Sequence, residues 1–189
     1  MQIFLLQECL SSSLVIVLKV LMIVAPKNFR DEELFDTKKE LENAGFEVVI
    51  SSEGVKESTG MLGGKTKIDF ELKEISSREY VAVVFVGGSG AKYYFNNKTA
   101  LALAKKFFEE NKIVSAICIA PLILANAGLL EGKEATIWPG SKEELASKGV
   151  FYVDEPVVVS GNIITANGPS AARKFGKTIA EELKKKIKK

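Results

Sequence analysis

The segment KIVSAICIAPLILANAG, residues 112–128, passes from an apolar run to a helical pattern within two or three residues. Ile113–Ile117 reads as a strand buried on both faces, and Pro121 suits the first turn of a helix. A strand feeding straight into a helix is half of a βα unit. Cys118 sits at the apex of the turn, with Ala116 two residues before it and Ala120 two after. So sharp a turn crowds those two positions, and small residues there satisfy the same steric demand as G-x-S-x-G does in a nucleophile elbow. A thiol at that apex lies at a helix N-terminus, where the dipole and free N–H groups favour thiolate. A cysteine packed as a small core hydrophobe among Ile117, Ile119 and Leu122 fits the same spacing, and spacing alone does not separate the two.

Outward from this turn the same alternation covers the chain from Lys19 onward. Further apolar runs at 20–25, 46–51, 81–86 and 135–138 read as strands of a parallel sheet. Between them the spacing predicts helices over 31–43, 99–111, 120–127, 141–148 and 170–187, the first, third and fourth followed by Gly45, Gly128 and Gly149. Residues 156–160 and 162–166 flank Gly161 and read as a hairpin. Residues 52–67 hold Gly54, Gly60, Gly63 and Gly64 and read as small strands or a loop off the main sheet. The expected architecture is a doubly wound α/β domain with helices on both faces.

Two other segments end at the same rim as Cys118, because each follows a strand. VAVVFVGGSGAKYY, residues 81–94, places Gly87-Gly88-Ser89-Gly90 where backbone N–H groups could face an oxyanion. It is neither G-x-G-x-x-G nor a Walker loop, so nucleotide binding has little support, and a bland tight turn explains the glycines equally well. Asp31, Glu32 and Glu33 open the first helix, where the dipole favours any acid. A carboxyl there, once desolvated, would stay protonated and hydrogen-bond the thiolate.

Composition narrows the chemistry. The 189 residues include no histidine and only two cysteines, Cys9 and Cys118. Ser-His-Asp and Cys-His arrangements, His-containing metal sites and four-cysteine zinc sites are therefore excluded, and no metal or cofactor is expected. A disulfide framework is excluded on the same count. Lys plus Arg is 26 and Asp plus Glu is 24, a balance that argues against nucleic acid as a partner. Only Arg30, Arg78 and Arg173 among these bases are not lysine, and glutamine occurs twice. That bias fits a thermophile and a reducing, cytoplasmic setting.

Residues 1–18, MQIFLLQECLSSSLVIVL, lack the basic start of a secretory signal, and Glu8 with Ser11 to Ser13 interrupts any membrane span. They read as an N-terminal extension or over-extended start, ahead of one domain over 19–189 that is long enough to bury roughly 70% of its unfolded surface.

Taken in order, VLMIVAP, the acidic turn before a helix ending in AGFEV, VVFVGGSGA, AICIAP and PVVVSGNIITANGP resemble the PfpI-type intracellular protease superfamily. That superfamily also holds the Parkinson-associated deglycase and related stress-response proteins. The resemblance spans about residues 19–187 and implies a flavodoxin-like three-layer sandwich, assembled as a homodimer or higher homo-oligomer. It implies that Cys118 is the elbow nucleophile, that Glu33 shares a proton with its sulfur, and that the N–H groups of Gly88 and Ile119 form an oxyanion hole. The chain departs from the family pattern at two places. Protease-like members carry histidine directly after the cysteine, where this chain has Ile119. The glyoxalase-like branch carries histidine before a proline, where this chain has Trp138 before Pro139. The resulting expectation is a cysteine-dependent hydrolase or glyoxal-adduct enzyme acting on a small carbonyl compound or peptide without histidine. The alternative is a non-catalytic redox-sensing or stress-protective protein.

Overall fold

The computed structural model describes residues 17–188. The reading of residues 1–18 as an extension therefore falls mainly outside the described residues, as does Cys9. Along the chain the elements are β1 (Lys19–Ile23), β2 (Lys27–Phe29), α1 (Asp31–Asn43), β3 (Glu47–Ser52), β4 (Glu57–Gly60), β5 (Lys65–Lys67), β6 (Phe70–Glu71), β7 (Ala82–Phe85), α2 (Lys98–Glu109), β8 (Ile113–Ile117), α3 (Pro121–Asn126), β9 (Glu134–Ala135), α4 (Lys142–Ala146), β10 (Phe151–Tyr152), β11 (Val157–Ser160), β12 (Ile163–Ala166) and α5 (Ala172–Ile187).

The main sheet has seven strands in the order β11-β12-β8-β7-β1-β3-β6. Its pairings are parallel except β11 with β12, the hairpin expected around Gly161. Every residue of β7 and β8 is buried, as strands covered on both faces require. Alternation then sorts side chains by layer. Leu21, Ile23, Val83 and Phe85 pack with Leu103 and Phe107 of α2 and Leu122 of α3. Val20, Met22 and Val84 pack with Leu34 and Leu41 of α1 and Phe175, Ile179 and Leu183 of α5. Each large side chain so buried stabilises the fold by about 1.5–3 kcal/mol. The result is a three-layer, flavodoxin-like sandwich with a mostly parallel sheet.

Register decides where a site can form. Ile23 pairs with Phe85 and Phe85 with Ala116, so β1, β7 and β8 end level with one another. The segments after them open at a single rim.

The glycine-containing segment 52–67 does form small strands off the main sheet: β4 pairs with β2 on one side and β5 on the other in a separate three-stranded sheet. The strand expected over 135–138 does not join the main sheet. Only Glu134–Ala135 is extended, and it pairs with β10 in a two-stranded sheet. The place beside β12 is already held by β11, and the backbone N–H groups that follow are engaged elsewhere. Thr136 N–H donates to Thr165 Oγ1 at 2.9 Å and Trp138 N–H donates to the Cys118 carbonyl at 2.9 Å. The fourth expected helix shrinks from 141–148 to Lys142–Ala146.

Candidate active site

Cys118 follows β8 and precedes α3 with φ of 63°, in the left-handed region that a side chain rarely adopts. Neighbours over-determine it. Its N–H donates to the Ala166 carbonyl at 2.9 Å, its own carbonyl accepts from Trp138, and the Ala120 N–H closes the turn on Ile117 O at 3.1 Å. Ala116 and Ala120 are fully buried, as the crowding of a tight elbow requires. Strain of this kind costs about 1–3 kcal/mol and aims the side chain out of the sheet edge.

The loop after β7 meets this apex at close range. A Cβ on Gly87 would fall 2.5 Å from the Cys118 Cβ and 2.7 Å from the Ile117 carbonyl, and against Glu33 Oε2. Gly88 has φ of 91° and packs on the backbone of Phe29 and Arg30, whose N–H donates to Gly87 O at 3.1 Å. Two glycines in a row thus let three backbone segments converge. The backbone N–H groups of Gly88 and Ile119 face the Cys118 sulfur.

The three acids after β2 have separate roles. Asp31 accepts from the N–H groups of Leu62 and Gly64 at 2.8 and 2.7 Å, tying the β4–β5 hairpin to α1. Glu32 takes the Arg30 guanidinium in a two-pronged pair, 2.8 and 3.0 Å. Glu33 points inward: it is fully buried, neither carboxyl oxygen has a well-aligned hydrogen-bond partner, and the groups facing it are the Cys118 thiol and the Gly87 N–H.

Burial pushes the Glu33 carboxyl up to about 8, against the smaller opposing effects of the Cys118 thiol, the Gly87 N–H and Arg30. Burial also pushes the Cys118 thiol up to about 12, with the Glu33 charge as the next cause, while the N–H groups of Gly88 and Ile119 pull it down. The drop in thiol pKa expected from a helix N-terminus is therefore outweighed; α3 has six residues and the sulfur is almost enclosed. The two groups titrate as a pair. Burial and the carboxylate's charge both oppose a second ionisation, so once one proton has left, the other is held between carboxyl and sulfur. When that proton sits on Glu33, the sulfur is a thiolate facing two N–H donors.

Cys118, Glu33, Gly88 and Ile119, the four residues singled out in the sequence, all line one cavity of about 400 Å³. Its remaining wall includes Ser89 and Trp138, from segments the sequence had already drawn attention to, and Arg30, Met61 and Lys92, which the sequence reading did not place in the site. Lys92 stands four residues after Gly88 on the same rim, which was a usable signal. Met61 carried none, because its hairpin reaches the cavity through contacts distant in sequence, with Phe29, Asp31 and Ser89. Among the described residues no three cysteine or acidic side chains converge as metal ligands would.

The family model described as DJ-1/PfpI matches residues 18–182, and the chain belongs to the DJ-1/PfpI family. It is 45% identical over 170 residues to an uncharacterized protein of Methanocaldococcus jannaschii, covering 88% of this chain and 83% of that protein. It is 36% identical over 153 residues to a deglycase of Pyrococcus horikoshii, covering 81% of this chain and 92% of that one. A ThiJ/PfpI domain protein from Brachyspira murdochii has a similar fold, with a TM-score of 0.86 at 36% identity over 88% of this chain and 96% of that one. No helix among the described residues is long and apolar enough to cross a membrane.

Proposed function

We propose that the chain is a cysteine-dependent enzyme acting on small carbonyl compounds, aldehydes and glyoxal-type adducts in preference to peptides. The observation that carries this reading is the buried carboxyl of Glu33, without an aligned partner of its own and facing the Cys118 sulfur at the strained elbow. In the one-proton form the thiolate attacks an aldehyde carbon and a C–S bond forms. The carbonyl π pair moves to oxygen, which the N–H groups of Gly88 and Ile119 receive. The Glu33 proton then neutralises that oxygen and leaves a hemithioacetal beside a carboxylate. With an α-oxoaldehyde, Glu33 can next carry the C1 proton to C2 while the C1 hydroxyl proton passes to the C2 oxygen, giving a 2-hydroxy thioester that water cleaves to the 2-hydroxy acid and free thiol. No external oxidant enters. A carboxyl poised near 8 suits proton transfer in both directions around neutrality.

Peptide hydrolysis needs a general acid for a poorly leaving amine, the task histidine performs in protease-like members, and this chain has none. The name of the Pyrococcus horikoshii relative, a deglycase, supports the carbonyl reading. The working form we propose is a cytoplasmic homodimer or larger homo-oligomer. Support comes from Phe35 and Leu62, which stand exposed beside the Asp31–hairpin tie at 39% and 63%.

Consumption of methylglyoxal by wild-type protein and by Cys118→Ala tests the activity. Loss of about 10²-fold or more is expected in the variant. Equal rates would overturn the reading.

A further inference from the structure

The wall of the cavity above Cys118 carries more positive charge than addition to a neutral aldehyde requires. Arg30 and Lys92 both line it, and among the described lining residues the only acid is Glu33 at its floor. Arg30 is held by Glu32 through Nε and one terminal nitrogen, which leaves the other edge of its planar fork unengaged. Lys92 is exposed and makes no ion pair among the described residues. Ser89 and Ser141 add hydroxyl donors at the same wall, and Trp138, 46% exposed, supplies an apolar side.

We propose that this cavity selects carbonyl substrates bearing a carboxylate, with Lys92 and Arg30 holding the carboxylate while the carbonyl carbon faces Cys118. The proposal rests on the reading of Cys118 as a nucleophile and adds a substrate class to it. A guanidinium fork and an ammonium beside two hydroxyls match a carboxylate's oxygens. A cavity of about 400 Å³ limits the ligand to a short oxo acid. Arg30 precedes α1 and Lys92 lies in the turn Ser89–Tyr94 after β7, so two separate segments aim charge at one mouth.

Two alkylating agents that differ in charge read this directly: iodoacetate and iodoacetamide, applied to Cys118 in a Cys9→Ser background. The ratio of their rates, iodoacetate over iodoacetamide, should exceed the ratio for glutathione at the same pH. Substituting Lys92→Gln should lower it about two- to five-fold, the scale of one partly exposed charge contact, with Lys92→Arg restoring it. Raising the salt should lower it too. A ratio equal to that of glutathione, indifferent to Lys92→Gln and to salt, would overturn the proposal. Failure of Cys118 to react with either agent would sink the enzymatic reading, and the anion site is then judged separately. Trp138 is the only tryptophan in the chain and lines the cavity, so its fluorescence in Cys118→Ala protein reports binding without thiol chemistry. Glyoxylate should perturb that signal saturably and methylglyoxal should not. Equal responses to both, or no response to glyoxylate, would overturn the carboxylate site.

Discussion

Glu33 holds a carboxyl where water cannot reach it, and that has a stability signature. Its pKa is raised from an ordinary 4.5 to about 8 by burial, so the folded chain keeps a proton that the unfolded chain releases. The stabilisation from that retained proton is complete below about 4.5 and is lost as the pH rises through about 8. Across the window stability falls by roughly 1.4 kcal/mol per pH unit. Glu33→Gln, isosteric and uncharged at any pH, should therefore raise the melting temperature at pH 9 and leave it nearly unchanged at pH 4. A gain that is the same at both pH values would contradict the buried, protonated carboxyl. The same substitution removes the proton that Glu33 supplies in the proposed chemistry, so greater stability and lost activity should appear together.

Among the elements, the β4–β5 hairpin is held at its base by β2 and at its tip by a side chain. Asp31 receives two backbone N–H groups from its tip, and charge-assisted bonds of this kind are each worth about 1.5–3 kcal/mol. Met61 rides on that tip and lines the cavity. Asp31→Ala should make the segment 61–64 susceptible to limited proteolysis and raise KM more than it lowers kcat. Unchanged proteolysis would show that the hairpin is held by its strands alone. The contrast with β1, β7 and β8 shows what the sequence made legible. Those strands are near-continuous apolar runs that no other element of this length explains, and the elbow follows from Ala116, Cys118 and Ala120. Asp31 gave no such clue, because a first-turn acid is ordinary and its partners lie 31 and 33 residues further on. The run 135–138 misled for a related reason: its apolar content reflects Ile137 packing in the core, while its backbone bonds reach the elbow and β12. Arg30 is brought to the cavity only by the folded rim, whereas the place of Lys92 could be read from its distance to Gly88.

For the molecule as a whole, the level ends of β1, β7 and β8 convert three unrelated loops into one cavity, and the chemistry available there is set by what the chain lacks. Without histidine, no imidazole titrates between the carboxylates and the thiol, so any transition between pH 6 and 9 in activity should belong to the Glu33–Cys118 pair. Association is the other whole-molecule property open to test. Light scattering on the eluted protein should give at least twice 20.6 kDa, and a monomer at micromolar concentration would contradict the proposed oligomer.

The sharing of one proton between Cys118 and Glu33 is tested most directly by the iodoacetamide alkylation rate of Cys118 against pH, in Cys9→Ser protein with and without Glu33→Gln. A rate profile displaced to lower pH by Glu33→Gln, because the Glu33 charge that opposes the thiolate is gone, is the expected result. Alkylation profiles that coincide in the two proteins would show that Glu33 and Cys118 do not share a proton and would contradict the proposed chemistry.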